Sequence, residues 1–436
     1  MTGLLRQADW ASLGEDGRRS LLERPAQRAA PGVEAGVADI VAAVRRDGDL
    51  ALRALTERLD GVRLDTFEVG DDEAALASRE LSAAAIEAIS AAAANIRRFH
   101  DAQRQHPLRV ETSPGVVCER VTRPIRAVGL YVPAGSAPLP STAMMLAIPA
   151  ALAGCPVRVM CTPPRRDGRA DPAVVFAAKS CGVGRIFKLG GAQAIAALAY
   201  GTATVPKVEK IFGPGNAWVT AAKLAVARDP AGAALDLPAG PSEVMVIADD
   251  AADPRFVALD LLSQAEHGPD SQVILVTTSA GLLPRVQAEI TAALERLPRR
   301  AIIREALAHA AGIIVPGLAE AVDVANRYAP EHLILQVSEP RRLAEQIISA
   351  GSVFLGRWTP ESVGDYCSGT NHVLPTYGHA RAFSGLSVSD FERRMTLQEL
   401  SRDGLQSLAG TVTTLAALEG LDAHAAAVRV RLGERP

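Results

Sequence analysis

The chain has 436 residues, 48% of them hydrophobic and 22% charged, with a formal net charge of −3. That composition describes a globular chain long enough for two domains, and it excludes a disordered one. The near-neutral balance excludes a global field for nucleic acid or anionic membrane, so any anionic ligand must be held locally.

The N-terminus has no signal-peptide core, and the longest apolar run, residues 143–153, is short and interrupted by Pro149. Five cysteines without a CxxC pair read as reduced thiols. A cytoplasmic protein with no membrane span is expected. Residues 1 to about 127 read mostly helical. Residues 33–60 carry Val37, Ile40, Val41, Val44, Leu52, Leu55 and Leu59 at helical spacing, and residues 81–99 repeat the habit in an Ala-rich form.

From Ala127 the rhythm changes. A buried-strand pattern over residues 127–133 runs into a turn at 134–138 and a helix-like segment to Ala153. Strands at 157–160, 185–189 and 210–212 then alternate with helices at 174–181, 192–200 and from 217 to Val226. After a break near residues 235–241 the alternation restarts: strand 244–248, helix 254–267, strand 273–277, helix 282–297, and further segments at 312–315, 318–328, 332–337, 343–349 and 353–355. From about Arg381 a short helical tail follows. The expected fold is α/β: two Rossmann-like parallel-sheet domains without a GxGxxG fingerprint, plus a helical N-terminal region and a C-terminal helical tail. The expected division is an arm at 1–24, a discontinuous unit of 25–127 with 238–380, a second unit at 128–237 and the tail at 381–436. Ligands of such folds lie in crevices at the carboxyl ends of strands or between domains.

Chemistry concentrates at few places. Asp253-Pro254 opens a helix that closes on Gln264 and His267, three residues apart on one face, with Gly268 just beyond. The carbonyls of a last turn favour a cation, although a solvated helix end has the same appearance. Of eight histidines, His267, His332, His372 and His424 fall in polar, Gly- or Pro-bounded settings; His100, His106, His309 and His379 lack a nearby carboxylate cluster. Glu331-His332 starts a strand: alternation would bury one and expose the other, while a cleft would receive both and gain two proton acceptors of unlike pKa. Asp365 and His372 share a loop, where a turn with Asp365 bonded to its own backbone is the simpler alternative. His424 begins a helix whose Leu421, Ala425, Val428 and Leu432 form an apolar stripe, which suits a packed histidine equally well. Together Gln264, His267, Asp365 and His424 make an N/O ligand set without thiolate, consistent with zinc. The turns at 190–193 and 213–216 offer backbone N–H groups to phosphate, or serve only as tight strand-to-helix connections.

Laid out in order, these stretches resemble the histidinol dehydrogenase family. The resemblance is carried by residues 131–133, Gly190-Gly191-Ala192-Gln193-Ala194-Ile195-Ala196, Gly213-Pro214-Gly215-Asn216, Ala239-Gly240-Pro241-Ser242-Glu243, Gln264-Ala265-Glu266-His267, residues 329–333, Gly364-Asp365-Tyr366, residues 371–376, and Glu419-Gly420-Leu421 with His424. It covers nearly the whole chain. Ala134 departs from it, standing where the family usually has Gly. The resemblance implies a homodimer that oxidises L-histidinol through L-histidinal to L-histidine with two NAD and one Zn2+ per subunit. It implies Gln264, His267, Asp365 and His424 as zinc ligands, also in contact with substrate, and Glu331 and His332 as the acid–base pair. Ser242, His332, His372 and Glu419 would touch substrate, and Tyr131, Gln193 and Asn216 would touch NAD. Residues 25–127 with 238–380 would be the catalytic unit and 128–237 the NAD-contacting one, with the tail crossing to the partner's site. Two competitors are a relative acting on another polar alcohol, opposed by Glu419 and His424, and a two-domain solute-binding protein, which needs no acid–base pair and usually carries an export signal.

Overall fold

The computed structural model describes residues 4–25, 32–134, 137–237 and 240–434. The middle of the turn expected at 134–138 and the residues Pro238 and Ala239 of the expected break lie outside that set. Fourteen strands are described: β1 (Arg6–Asp9), β2 (Leu108–Ser113), β3 (Val116–Pro124), β4 (Ala127–Tyr131), β5 (Val157–Thr162), β6 (Arg185–Lys188), β7 (Lys210–Phe212), β8 (Ala234–Leu235), β9 (Glu243–Ala248), β10 (Gln272–Thr277), β11 (Ala311–Ile314), β12 (His332–Gln336), β13 (Ser352–Leu355) and β14 (Glu392–Leu400).

They form two parallel sheets and one antiparallel sheet. The first parallel sheet has the order β1-β11-β10-β9-β12-β13 and the second β6-β5-β4-β7-β8. Each contains a central strand from which the chain winds first one way and then the other, the doubly wound pattern that leaves a crevice at the reversal. Residues of β9 and β10 are buried along their whole length, as a sheet covered on both faces requires. In the second sheet the reversal falls between β4 and β7. There Gly213 takes a φ of +126°, and a Cβ on it would collide with the carbonyl oxygen of Tyr131. Only glycine lets the two strand ends approach so closely.

Strands join the two helical regions, and the early helices pack on the second sheet. The N-terminal region is not only helical: β1 pairs with β11 at the rim of the first sheet, and β2 and β3 form a hairpin joined by β14. The tail is therefore not purely helical either, because β14 precedes its helices Arg402–Glu419 and Asp422–Arg431. The helices at residues 33–101 also do not pack with the first sheet. Val37, Ile40, Val44, Leu52 and Leu55 join the core of the second sheet beside Tyr131, Val159 and Phe187, while Ile89, Ala92 and Ile96 pack against its other face. The helical spacing over 33–60 is realised as two helices that meet at Gly48, whose φ of +53° and ψ of −125° are not helical.

Helix Pro254–Ala265 begins as its sequence predicts, with the Asp253 carboxylate accepting from the Arg255 amide and Pro at the first position. On its inner face lies Asp260, 5% exposed, whose carboxylate accepts from Gln336 Nε2 at 3.2 Å. Burial pushes this carboxyl from 3.8 up to about 6. A carboxyl raised in the fold lowers stability as pH climbs from its unfolded to its folded pKa, here roughly 4 to 6. The shift of about two units corresponds to roughly 3 kcal/mol. Asp260→Asn is therefore expected to raise the unfolding midpoint by several degrees at pH 8 and to give no gain at pH 4. Thermal unfolding at the two pH values checks this; equal effects at both would rule out the charge as the cause.

Candidate active site and dinucleotide cavity

The amino edge of the first sheet gathers the chemistry. Ser242 precedes β9, Glu331 precedes β12, and Glu243 and His332 are the first residues of those strands. Helix Pro254–Ala265 returns between β9 and β10, so its C-terminal end delivers Gln264 and His267 to the same edge. Helix Glu361–Tyr366 adds Glu361 and Asp365, one turn apart. Two expectations change here. In the first sheet the carboxyl-end rule does not hold, and Asp365 belongs to a short helix instead of a loop.

Both members of the Glu331-His332 pair are buried, at 6% and 3% exposure. They avoid the usual alternation because Glu331 lies outside the strand: its Oε2 accepts from the Glu243 amide at 2.8 Å. His332 Nδ1 lies 3.0 Å from the Glu243 carbonyl oxygen and so carries the proton, donating to it. The other nitrogen, Nε2, is buried without a hydrogen-bond partner and faces Asp365 Oδ1 at 3.5 Å. Glu243 is itself fixed: its carboxylate accepts from Arg24 Nε at 2.5 Å, Arg24 Nη2 at 2.9 Å and the Tyr377 amide at 2.9 Å. Arg24 also stacks over Tyr328. The N-terminal arm thus locks the strand end that orients both catalytic candidates.

The electrostatics follow from crowding carboxylates in a dry place. Burial pushes Glu331 up to about 8. Burial alone would lower His332, but Glu361, Glu331 and Asp365 together outweigh it and hold the imidazole well above its ordinary value. Burial also drives Glu361 well up, helped by Asp365 and Glu331. Asp365 alone goes down, to about 2: burial would raise it, but His332, His372 and His267 together outweigh that cost.

Such an excess of buried negative charge suits a divalent cation. His267, Glu361 and Asp365 each offer a ligand atom within 4.8 Å of the others, and burial lowers the His267 pKa, keeping a neutral nitrogen available. Gln264 is fully buried, and with its amide turned so that nitrogen faces Glu361 it donates to that carboxylate, at 3.1 Å to Oε2. The donor set, imidazole and oxygen without thiolate, fits zinc or a similar borderline ion.

His372 is placed as a bridge. Its Nδ1 donates to the Asp365 carbonyl at 2.8 Å and its Nε2 accepts from Thr142 Oγ1 at 3.0 Å, tying the site to helix Pro140–Leu152 over the second sheet. Asn371 repeats the tie through the Met145 carbonyl. Ser242 is half-buried at the same edge. Glu419 and His424 are exposed near the junction of the two tail helices, and among the described residues of one chain nothing joins them to the cluster.

The second sheet obeys the carboxyl-end rule. A cavity of about 530 Å³ beyond its strand ends is lined by Gly36, Asp39, Arg58, Asp60, Gly191, Gln193, Asn216 and Trp218 among others. The Tyr131 hydroxyl accepts from the Gly191 amide at 3.0 Å, and Asn216 Oδ1 caps helix Ala217–Ala227 through the Trp218 and Val219 amides. Two of the three residues expected to touch a dinucleotide therefore line this wall and the third holds it.

A profile of the histidinol dehydrogenase family matches residues 22–432. The chain belongs to the histidinol dehydrogenase family. Histidinol dehydrogenase of Xylella fastidiosa is 56% identical over 429 residues, 98% of this chain and 99% of that one. The Photobacterium profundum histidinol dehydrogenase is 55% identical over 423 residues, 97% and 95% of the two chains. The crystal structure of histidinol dehydrogenase from Elizabethkingia anophelis superposes with a TM-score of 0.95 at 43% identity, covering 99% of this chain and 98% of that one. Histidinol dehydrogenases are oxidoreductases, so this chain is an enzyme of that class. Among the described residues no helix is long and apolar enough to cross a membrane.

Sequence reasoning missed Glu361 and Glu243. Glu361 was detectable: it stands four residues before Asp365, behind Pro360, at the spacing that puts two carboxylates on one helical face. Glu243 was within a recognised motif but gained a role only through Arg24, a partner 219 positions away.

Proposed function

We propose that this chain is a cytoplasmic, zinc-dependent enzyme that oxidises L-histidinol through L-histidinal to L-histidine, with reduction of two NAD. The observation that carries this reading is the unpartnered Nε2 of His332, aimed at the carboxylate and imidazole donors, with a second carboxyl, Glu331, held beside it. Gln264, His267 and Asp365 would hold zinc, with His424 as the fourth protein ligand. Zinc, when bound, orients the imidazole and amino nitrogens of the substrate and offsets the buried carboxylate charge.

In the first oxidation His332, in its neutral form, takes the hydroxyl proton at Nε2 while a hydride leaves the carbinol carbon for the nicotinamide. The aldehyde must then gain water before it can surrender a second hydride. Glu331, once ionised, takes a proton from that water; a positioned base contributes about 10²–10⁴-fold in rate. The backbone of Glu243 orients both bases, its amide on Glu331 and its carbonyl on His332. Ser242 and Glu419 would hold substrate directly, and His372 would keep Asp365 facing inward. Tyr131, Gln193 and Asn216 would form the NAD wall. The active unit would be a homodimer in which Glu419 and His424 serve the neighbouring site; this is supported by Leu415, Leu418, Leu421 and Val430, exposed along the tail helices.

The test is NADH formation from L-histidinol and from other polar alcohols, with and without a chelator. Two NADH per histidinol are expected, abolished by chelation and restored by zinc. His267→Asn should weaken zinc retention by at least about tenfold, read by metal analysis after dialysis. Faster turnover of an unrelated alcohol, or indifference to the chelator, would overturn the assignment.

A further inference from the structure

We propose that Asp60 is the residue that makes this enzyme choose NAD over its 2′-phosphorylated form, by accepting hydrogen bonds from the adenosine ribose hydroxyls. The inference rests on the reading that the cavity beyond the second sheet takes the dinucleotide. Asp60 closes helix Asp49–Asp60, outside the sheet itself, and reaches the cavity from the helical layer packed over it. Its Oδ2 accepts from Gln193 Nε2 at 3.3 Å, one bond that leaves most of the carboxylate's acceptor capacity to the cavity.

Two further observations point to a ligand. Gln193, 1% exposed, keeps its Oε1 buried without a partner. Helix Gly191–Tyr200 starts at the same wall with its first amide on the Tyr131 hydroxyl and no cap from Gly190, so the rest of its N-terminal field is offered to an anion such as a pyrophosphate. A diol fits beside the pyrophosphate position: vicinal hydroxyls donate to the Asp60 carboxylate and accept nothing they lack. A 2′-phosphate would instead bring about two negative charges against a carboxylate with no cation bonded to it. Asp39 adds a like charge on the same wall, and Arg58 is the cation that lines it, exposed to solvent. Burial raises the Asp60 pKa to about 6, so the group is ionised at pH 8, where selection is measured.

The experiment compares Asp60→Asn with the wild type, using NAD and NADP at pH 8 with saturating histidinol. The variant is expected to raise KM for NAD about tenfold, to leave kcat within about twofold, and to raise the NADP/NAD ratio of kcat/KM at least tenfold, the loss of one charged acceptor. A weaker NAD KM with an unchanged NADP/NAD ratio overturns the proposal, leaving Asp60 as a prop for Gln193. The underlying cavity reading is tested separately by Ala43→Phe, which narrows the cavity from its helical wall and keeps the Asp60 carboxylate. If NAD saturation in that variant, read by NADH fluorescence titration, matches the wild type, the dinucleotide binds elsewhere and both readings fall. If A43F weakens NADH binding while D60N leaves selection unchanged, only the Asp60 inference fails.

Discussion

Glu331→Gln is expected to lower oxidation of L-histidinal by about 10²–10⁴-fold while leaving oxidation of L-histidinol to the aldehyde within about tenfold of the wild type. The asymmetry follows from chemistry. The alcohol needs one proton removed, and His332, with Nδ1 fixed on the Glu243 carbonyl, presents Nε2 for that step. The aldehyde needs a water made nucleophilic first. Gln keeps the size of Glu331 and can turn its carbonyl oxygen to the Glu243 amide, so the fold should survive, but it takes up no proton from water.

The pH dependence separates this from a structural effect. Burial pushes Glu331 up to about 8. A carboxyl raised in this way is protonated and idle below its pKa and becomes a base as pH rises through it, so aldehyde oxidation should climb between about pH 7 and 9. In Glu331→Gln the limb centred near pH 8 should vanish, leaving a low rate that carries only the titration of His332. Single-turnover NADH formation from histidinol and from histidinal across pH 6–10 reads both. Equal loss of the two oxidations would sink the division of labour between the two residues.

The alternating units and the ligand pair at a helix end were legible because local pattern determines them. Strands β4 to β7 and β9 to β13 are short apolar runs bounded by turn residues, and the helices between them carry 3.6-residue periodicity. The third sheet was not legible. β14 reads Glu-Arg-Arg-Met-Thr-Leu-Gln-Glu-Leu, largely exposed, and is a strand only because β3 pairs with it from about 270 positions upstream. β1 is likewise four residues whose partner, β11, lies three hundred positions away. For the same reason the packing partner of residues 33–101 could not be chosen: an amphipathic helix states that it has an apolar face, not which sheet will cover it.

At the site, residue types were readable and their arrangement was not. Gln264, His267 and Asp365 converge because helix Pro254–Ala265 returns to the edge where β9 and β12 begin, a topological fact absent from any one motif. Glu331 and His332 could be read as one buried and one exposed; the Glu243 backbone decides the matter by bonding both, through its amide and its carbonyl.

The tail invites the most demanding test. Leu418 is 79% exposed and Leu415 and Val430 each 53%, on two helices that pack chiefly on each other, and Glu419 and His424 sit in the same segment. If that segment completes the neighbouring site, two separately dead variants must rescue each other. Consider a dimer of one Glu331→Gln subunit and one His424→Asn subunit. With tails exchanged, one of its sites collects both lesions and the other collects none. With tails retained, each site carries one lesion and both stay dead. Co-refolding equal amounts of the two variants should form about half heterodimers with one intact site each, so about a quarter of wild-type histidinal oxidation should return. Each variant refolded alone should remain inactive, and differently tagged subunits, purified in sequence, confirm that heterodimers formed. Heterodimers without recovered activity would mean that His424 serves its own subunit and that the tails are not exchanged, whereas an active His424→Asn homodimer would remove His424 from the ligand set.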